Sequence, residues 1–195
     1  MVQVSQTELI AGAISGKVVS FPTDTVPALA VKPEQADSIY QLKQRSYNKP
    51  LILLGASIEN LLPYVVYSSE ELSLWQQMTS QYLPGALTLV LPASNKVPQV
   101  VNYTDSQTVG IRVPDCLMAL EILRQTGVLA SSSANISGQD TLVTMNAIEQ
   151  TFPSVLVLEH SNLSKDKPVG SGLPSTVICW RHKTWQVLRQ GSIIV

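Results

Sequence analysis

The sequence predicts an α/β protein: a sheet covered by helices, with antiparallel pairing toward its C-terminal end. Three observations lead there. Segments with apolar residues three and four apart alternate with short aliphatic runs. The closing segments "STVICWR" and "TWQVLRQ" are separated by a tight turn, the connection that joins antiparallel neighbours. A chain of 195 residues that is 45% apolar can bury one large core.

Each element follows in order. Ser5 and Glu8 have capping-box spacing, in which hydroxyl and carboxylate satisfy each other's free backbone donors at a helix start. Leu9, Ile10, Ala13 and Ile14 then form an apolar face, and Gly16 stops the helix. "KVVSF" reads as a buried strand ending in the sharp "PTDT" turn. A second helix is expected from Pro33 to about Arg45, with Ala36, Ile39, Tyr40 and Leu42 facing inward. "PLILLG" is a strand. Ser68 and Glu71 repeat the capping box and open a helix over 68–82, with Leu72, Trp75 and Met78 on one side. "PGALTLVLPA" and "TVGIRVP" read as strands bounded by prolines. Asp115 is expected to cap a helix over 115–126 that Gly127 ends, and "VLA" delivers the chain to a serine run. A short helix near 144–150, a strand over 155–159, a polar loop over 160–174 and strands around 175–181 and 184–190 complete the series.

Composition excludes several classes of function. Thirteen basic against fourteen acidic side chains leave a net charge of −1, and the pI is about 6.1, so no overall field draws in nucleic acid or an anionic membrane. Any basic site must be local. Cys116 and Cys179 lie far apart outside any C-x-x-C pair, which points to core thiols in a reducing compartment. No segment reaches the roughly 18 apolar residues of a membrane span and no signal peptide opens the chain, so a cytoplasmic location is expected.

No standard catalytic template fits. There is no phosphate-binding P-loop, no dinucleotide fingerprint after a strand and no nucleophile elbow, and His160 and His182 lack metal-ligand spacing. The informative polar residues sit at expected strand ends, where open α/β sheets bind ligands. Thr23, Asp24 and Thr25 follow "VVSF"; Ser131, Ser132, Ser133 and Asn135 follow "VLA"; Arg112 and Arg189 close later strands. If those ends converge, they build a pocket of hydroxyls and amides with cationic walls. Lys43 and Arg45 can meet one ligand only if the helix frays at Lys43, because residues two apart on a helix point about 200° apart. They read equally as a solvated helix terminus, and the serines as a turn capping the next helix.

"FPTDTV", "LKQRSYNKPL", "LPGALTLVLP", "VGIRVPD", "SSSANISG", "PSTV" and "LRQG", in this order over nearly the whole chain, resemble the YrdC-like threonylcarbamoyl-AMP synthases. That family's K-x-R and S-x-N signatures stand here as Lys43-Gln44-Arg45 and Ser133-Ala134-Asn135. The resemblance implies one domain over residues 1–195, in the short form without an extra C-terminal domain. Its fold would be a twisted mixed parallel and antiparallel sheet, flanked by helices around a deep cationic cavity. It implies condensation of L-threonine, bicarbonate or CO2, and ATP into threonylcarbamoyl-AMP and pyrophosphate. Other proteins then transfer the threonylcarbamoyl group to the adenosine beside the anticodon of tRNAs that read A-starting codons. Implied partners are those downstream transferases and a weak contact with tRNA. Implied as cofactor is Mg2+ held mainly by the ATP phosphates, with no dedicated protein ligands.

By motif matching, Lys43, Arg45, Ser133 and Asn135 are the catalytic set. Arg45, Lys49, Thr108, Ser133, Asn135 and Arg189 hold ATP, while Thr25, Arg112 and Ser175 hold threonine, with Arg112 forking its carboxylate. Replacing Arg45 or Arg112 with alanine is expected to abolish activity and leave the fold intact. The sequence departs from many relatives at Pro27-Ala28, where T-V-Y-G-L is usual, at Leu54, where some carry histidine, and at Ala86. Proline lacks a backbone donor and alanine disfavours positive φ, so the loop must run differently. Three alternatives stand beside this: an RNA-binding module without catalysis, against which the pI speaks; a carbamoyl-transfer enzyme related to hydrogenase maturation, whose zinc-finger cysteines are missing here; and a paralogue with altered substrate.

Overall fold

The computed structural model describes residues 3–159 and 166–195. His160 and the first part of the loop expected over 160–174 lie outside the described residues. The elements in chain order are β1 (Gln3–Val4), α1 (Gln6–Ile14), β2 (Val19–Phe21), β3 (Ala28–Val31), α2 (Asp37–Lys43), β4 (Ile52–Leu54), α3 (Ile58–Leu61), α4 (Ser69–Tyr82), β5 (Leu87–Pro92), β6 (Thr108–Arg112), α5 (Leu117–Thr126), β7 (Leu129–Ser133), α6 (Met145–Thr151), β8 (Leu156–Leu158), β9 (Thr176–Arg181) and β10 (Thr184–Arg189).

Both capping boxes form. Ser5 and Ser68 each accept from the backbone three residues on, and Glu8 and Glu71 reach back to the cap amides. The expected second helix divides into a 3-10 turn at Pro33–Gln35 and α2, which ends at Lys43. The next residue, Gln44, is left-handed at φ 52°. The chain thus leaves the helix at Lys43, through a reversed residue rather than an extended one. Asp115 is not a helix cap. Its amide donates to Asp24 Oδ1, and α5 starts later behind Cys116, which makes no side-chain cap bond. Gly127 ends α5 with φ 78°, where a side chain would be strained.

Among the described residues ten strands form one sheet in the order β1-β8-β2-β3-β7-β4-β6-β5-β9-β10. Antiparallel pairing is not confined to the chain's end. It joins β2 to β3, β3 to β7 and β7 to β4 in mid-sheet, then β6 to β5 and β9 to β10. β9 and β10 meet through His182 and Lys183, both at positive φ, which matches the twist of a tight hairpin.

Strand alternation sorts side chains between the two faces. Leu53, Leu87, Leu89, Leu91, Val109, Ile111 and Ile178 pack with Ile39 and Tyr40 of α2, Leu61 of α3 and Trp75 of α4 in the larger core. On the other face, Val19, Ala28, Ala30, Leu54 and Leu129 are covered by Leu9, Ile10 and Ala13 of α1 and by Ala119, Ile122 and Leu123 of α5. A third cluster holds Leu29 against Met145, Ile148 and Phe152 around α6. Neither covering helix of the second face extends across β6, β5 and β9. What those strands present there is the floor of a cavity.

Candidate active site on the uncovered sheet face

The cavity encloses about 480 Å3 and is built by the period-two rule. β5 buries Leu87, Leu89 and Leu91 behind the sheet and presents Thr88 and Val90 in front; β6 buries Val109 and Ile111 and presents Thr108, Gly110 and Arg112. β4 adds Ile52 and Leu54, and β7 adds its serines. The serine run is therefore strand, not loop. Ser131, Ser132 and Ser133 pair with Ala30, Leu29 and Ala28 of β3, so neighbouring strands satisfy their backbone; all three residues line the cavity, and strand alternation puts the side chains of Ser131 and Ser133 on one face of β7 and that of Ser132 on the other. Nor does the site lie beyond strand ends alone: its floor is the middle of the sheet.

One wall is the turn after β2. Thr25 Oγ1 stands 3.1 Å from Thr23 Oγ1 and accepts from Arg112 Nη1 at 2.7 Å. Arg112 Nη2 donates to Asp24 Oδ1 at 2.6 Å, and its Nε donates to the Gly85 carbonyl at 3.0 Å. Burial pushes the guanidinium below its ordinary value, and Asp24 pulls it back. One N–H on each terminal nitrogen is left over, the number a carboxylate fork requires. Asp24 thus does more than shape the turn: it is the counter-charge of a buried cation.

The opposite wall carries Ser175, whose Oγ lies 2.8 Å from Thr88 Oγ1, and Arg189, which donates from Nε and Nη2 to the Ser175 carbonyl at 3.2 and 2.8 Å. Arg45 enters from the α2–β4 loop, held by the carbonyls of Lys49 and Pro50 at 2.9 and 3.0 Å. Burial lowers both Arg45 and Arg189, and Arg189 depresses Arg45 further, so the two guanidiniums feel one another. Thr108 lines the cavity beside Asp105, to which its hydroxyl donates at 3.0 Å.

The other expected residues stand elsewhere. Lys43 is fully buried behind the serine run, where its Nζ donates to the Ser133 carbonyl and to Asn135 Oδ1. Burial, and then Arg45, push its ammonium down to about 7. Asn135 receives a further bond from Ser133 Oγ at 2.8 Å and donates to the carbonyls of Ile136 and Gln139. Lys43 and Asn135 thus brace the turn behind the cavity, and Lys49 is exposed outside it. Pro27 and Ala28 both line the cavity; Ala28 sits in β3, and the Pro27 carbonyl accepts from the Ala134 amide at 3.0 Å. Sequence reasoning missed Thr88, Asp105 and Arg181 as lining residues. Thr88 had a signal: it is the polar intruder in the aliphatic run "LTLVLP".

The chain is thus of the class of open mixed α/β sheets, with arginines and hydroxyls gathered over a sheet floor. The comparisons place the chain further. The profile of the Sua5/YciO/YrdC family, described as "Telomere recombination", matches residues 13–191, and the chain belongs to that family. A threonylcarbamoyl-AMP synthase of Vibrio campbellii is 33% identical over 184 residues, spanning 91% of this chain and 94% of the relative. The crystal structure of Pyrococcus abyssi Sua5 complexed with L-threonine superposes with a TM-score of 0.82 at 28% identity; it covers 97% of this chain, which spans 55% of the archaeal one. Escherichia coli YciO shares the fold at TM-score 0.80 and 21% identity.

Proposed function

We propose that the chain is an L-threonylcarbamoyladenylate synthase, a nucleotidyl transferase acting in the cytoplasm as a single domain on L-threonine, bicarbonate or CO2, and ATP. Its product would pass to the proteins that modify tRNA. The observation that carries this is the convergence of Arg45, Arg112 and Arg189 with Thr25 and Ser175 around one cavity. In this reading the free N–H groups of Arg112, with Thr25 and Ser175, hold the threonine carboxylate. Arg45 and Arg189 collect phosphates together with Thr108 and Ser133. Lys43 and Asn135 shape the Ser133 turn, and Lys49 meets the outer phosphates where ATP enters.

The chemistry asks for little beyond gathering and neutralising charge. The threonine amine adds CO2 and loses a proton to give a carbamate. A carbamate oxygen then attacks the α-phosphorus, and the bond to the bridging oxygen breaks to release pyrophosphate. Fixed cations lower the cost of bringing these anions together. Among the described residues no group of three metal-ligating side chains occurs, and Asp105 is engaged by Thr108 and the Gln107 amide. That donor set suits Mg2+ carried on the phosphates, where it would offset the triphosphate charge.

Purified protein incubated with ATP, Mg2+, bicarbonate and labelled threonine should yield a labelled acyl-adenylate and stoichiometric pyrophosphate, both absent when threonine is omitted. Pyrophosphate release that ignores threonine would reject the assignment.

A further inference from the structure

Thr88 is fully buried, yet its hydroxyl faces the cavity from a strand that is otherwise aliphatic. Among the described residues its hydrogen-bond partner is the Ser175 hydroxyl at 2.8 Å. Ser175 Oγ has a second neighbour, Arg189 Nη2 at 3.3 Å, and a guanidinium only donates. Either hydroxyl could donate here; Thr88 is fully buried while Ser175 keeps 4% exposure, so a Thr88 proton without an acceptor would be the costlier of the two, and it is assigned to Ser175. A serine oxygen accepts through its lone pairs and donates one proton. With Arg189 and Thr88 both donating to it, Ser175 has no acceptor capacity left, and its own proton is the group it can offer to the cavity.

We propose that Thr88 is a positioning residue, which polarises Ser175 into a pure hydrogen-bond donor and so selects an acceptor atom, a carboxylate oxygen, on the amino-acid substrate. This rests on the assignment of Ser175 to the amino-acid end of the cavity. Thr88, itself fully buried, acts through Ser175. Gly191 keeps that wall in place, since a Cβ there would lie 2.4 Å from the Pro174 carbonyl oxygen and 2.6 Å from the Ser175 carbonyl carbon.

The test is steady-state kinetics of threonine-dependent pyrophosphate release at saturating ATP, on the wild type, Thr88→Val, Thr88→Ser, Ser175→Ala and the Thr88→Val/Ser175→Ala double variant. Thr88→Val should raise the threonine KM roughly fivefold, the scale of one net hydrogen bond, with kcat moved by less than about twofold. Thr88→Ser should restore the wild-type KM, and Thr88→Val should add nothing when Ser175 is already alanine. The melting temperature of Thr88→Val should match or exceed the wild type, because a methyl replaces a hydroxyl in a dry strand; Thr88→Ala is run beside it so that a folding defect in one variant cannot mimic the effect. An unmoved KM in Thr88→Val, or an equal penalty in the Ser175→Ala background, overturns the inference while leaving the proposed function standing. A wild-type protein that consumes no threonine defeats both.

Discussion

The two sides of the cavity handle positive charge in opposite ways. Arg112 is paired with a carboxylate, Asp24, at 2.6 Å with both side chains largely buried. Arg45 and Arg189 are held by backbone carbonyls, and among the described residues neither makes an ion pair. A carbonyl fixes direction without cancelling charge. The paired arginine is thus a geometric anchor with modest net field, whereas the carbonyl-held pair keeps its charge for an incoming anion. In the proposed function the first side takes the singly charged carboxylate and the second the polyphosphate.

Breaking the paired side should have the largest effect. Arg112→Ala strands Asp24 without its counter-charge and removes the donors to Thr25 and Gly85. It should cost about 3 kcal/mol of stability, read from denaturant unfolding, besides abolishing turnover. Arg45→Ala is the contrasting case. Its bonds go to its own exposed loop, so stability should fall by only about 0.5 kcal/mol, while turnover drops about a hundredfold.

Salt sharpens the same contrast. Raising ionic strength should increase the KM for ATP severalfold and that for threonine much less, because the charge offset by Asp24 has little long-range field to screen. The smallest effect comes from Lys43. Its folded value of about 7 lies below its ordinary 10.5, so between those values the unfolded chain holds more protons than the folded one. Stability should therefore rise with pH through that window, by about 1 kcal/mol from pH 7 to 8, and the penalty is fully present below it. Lys43→Met should flatten that segment of the profile of unfolding free energy against pH.

Local signals were the legible part of this fold. Capping boxes, the glycine ending α5 and the β9–β10 turn are decided by neighbours in sequence. β3 was missed because "ALAV" is short, buried on both faces and free of alternation, so no period marks it. The serine run was misjudged for the converse reason: its residues are poor strand formers, but β3 and β4 pair with it from both sides and override that preference. Asp115 sits where a cap belongs, yet Asp24, distant in sequence, claims its amide. The site divides likewise. Arg112, Thr25, Ser175 and Arg189, picked by motif, line one cavity, but the bond from Lys43 to the Ser133 carbonyl joins residues 90 apart and had no local sign. Thr88 shows the limit most clearly, since an intruding hydroxyl becomes meaningful only once Ser175 stands beside it.

The edge strand β10 has a consequence for synthesis. It carries Arg189, and the segment just beyond it is tied to the hydroxyl of Thr176 by the amides of Gly191 and Ile193 at 2.9 and 3.2 Å. A ribosome delivers the threonines of the first wall early and Arg189 long afterwards, so the emerging polypeptide passes through a stage with most of its sheet in hand and one wall missing. During translation the wall that holds Thr23 and Thr25 is therefore made long before Arg189 is available to close the other.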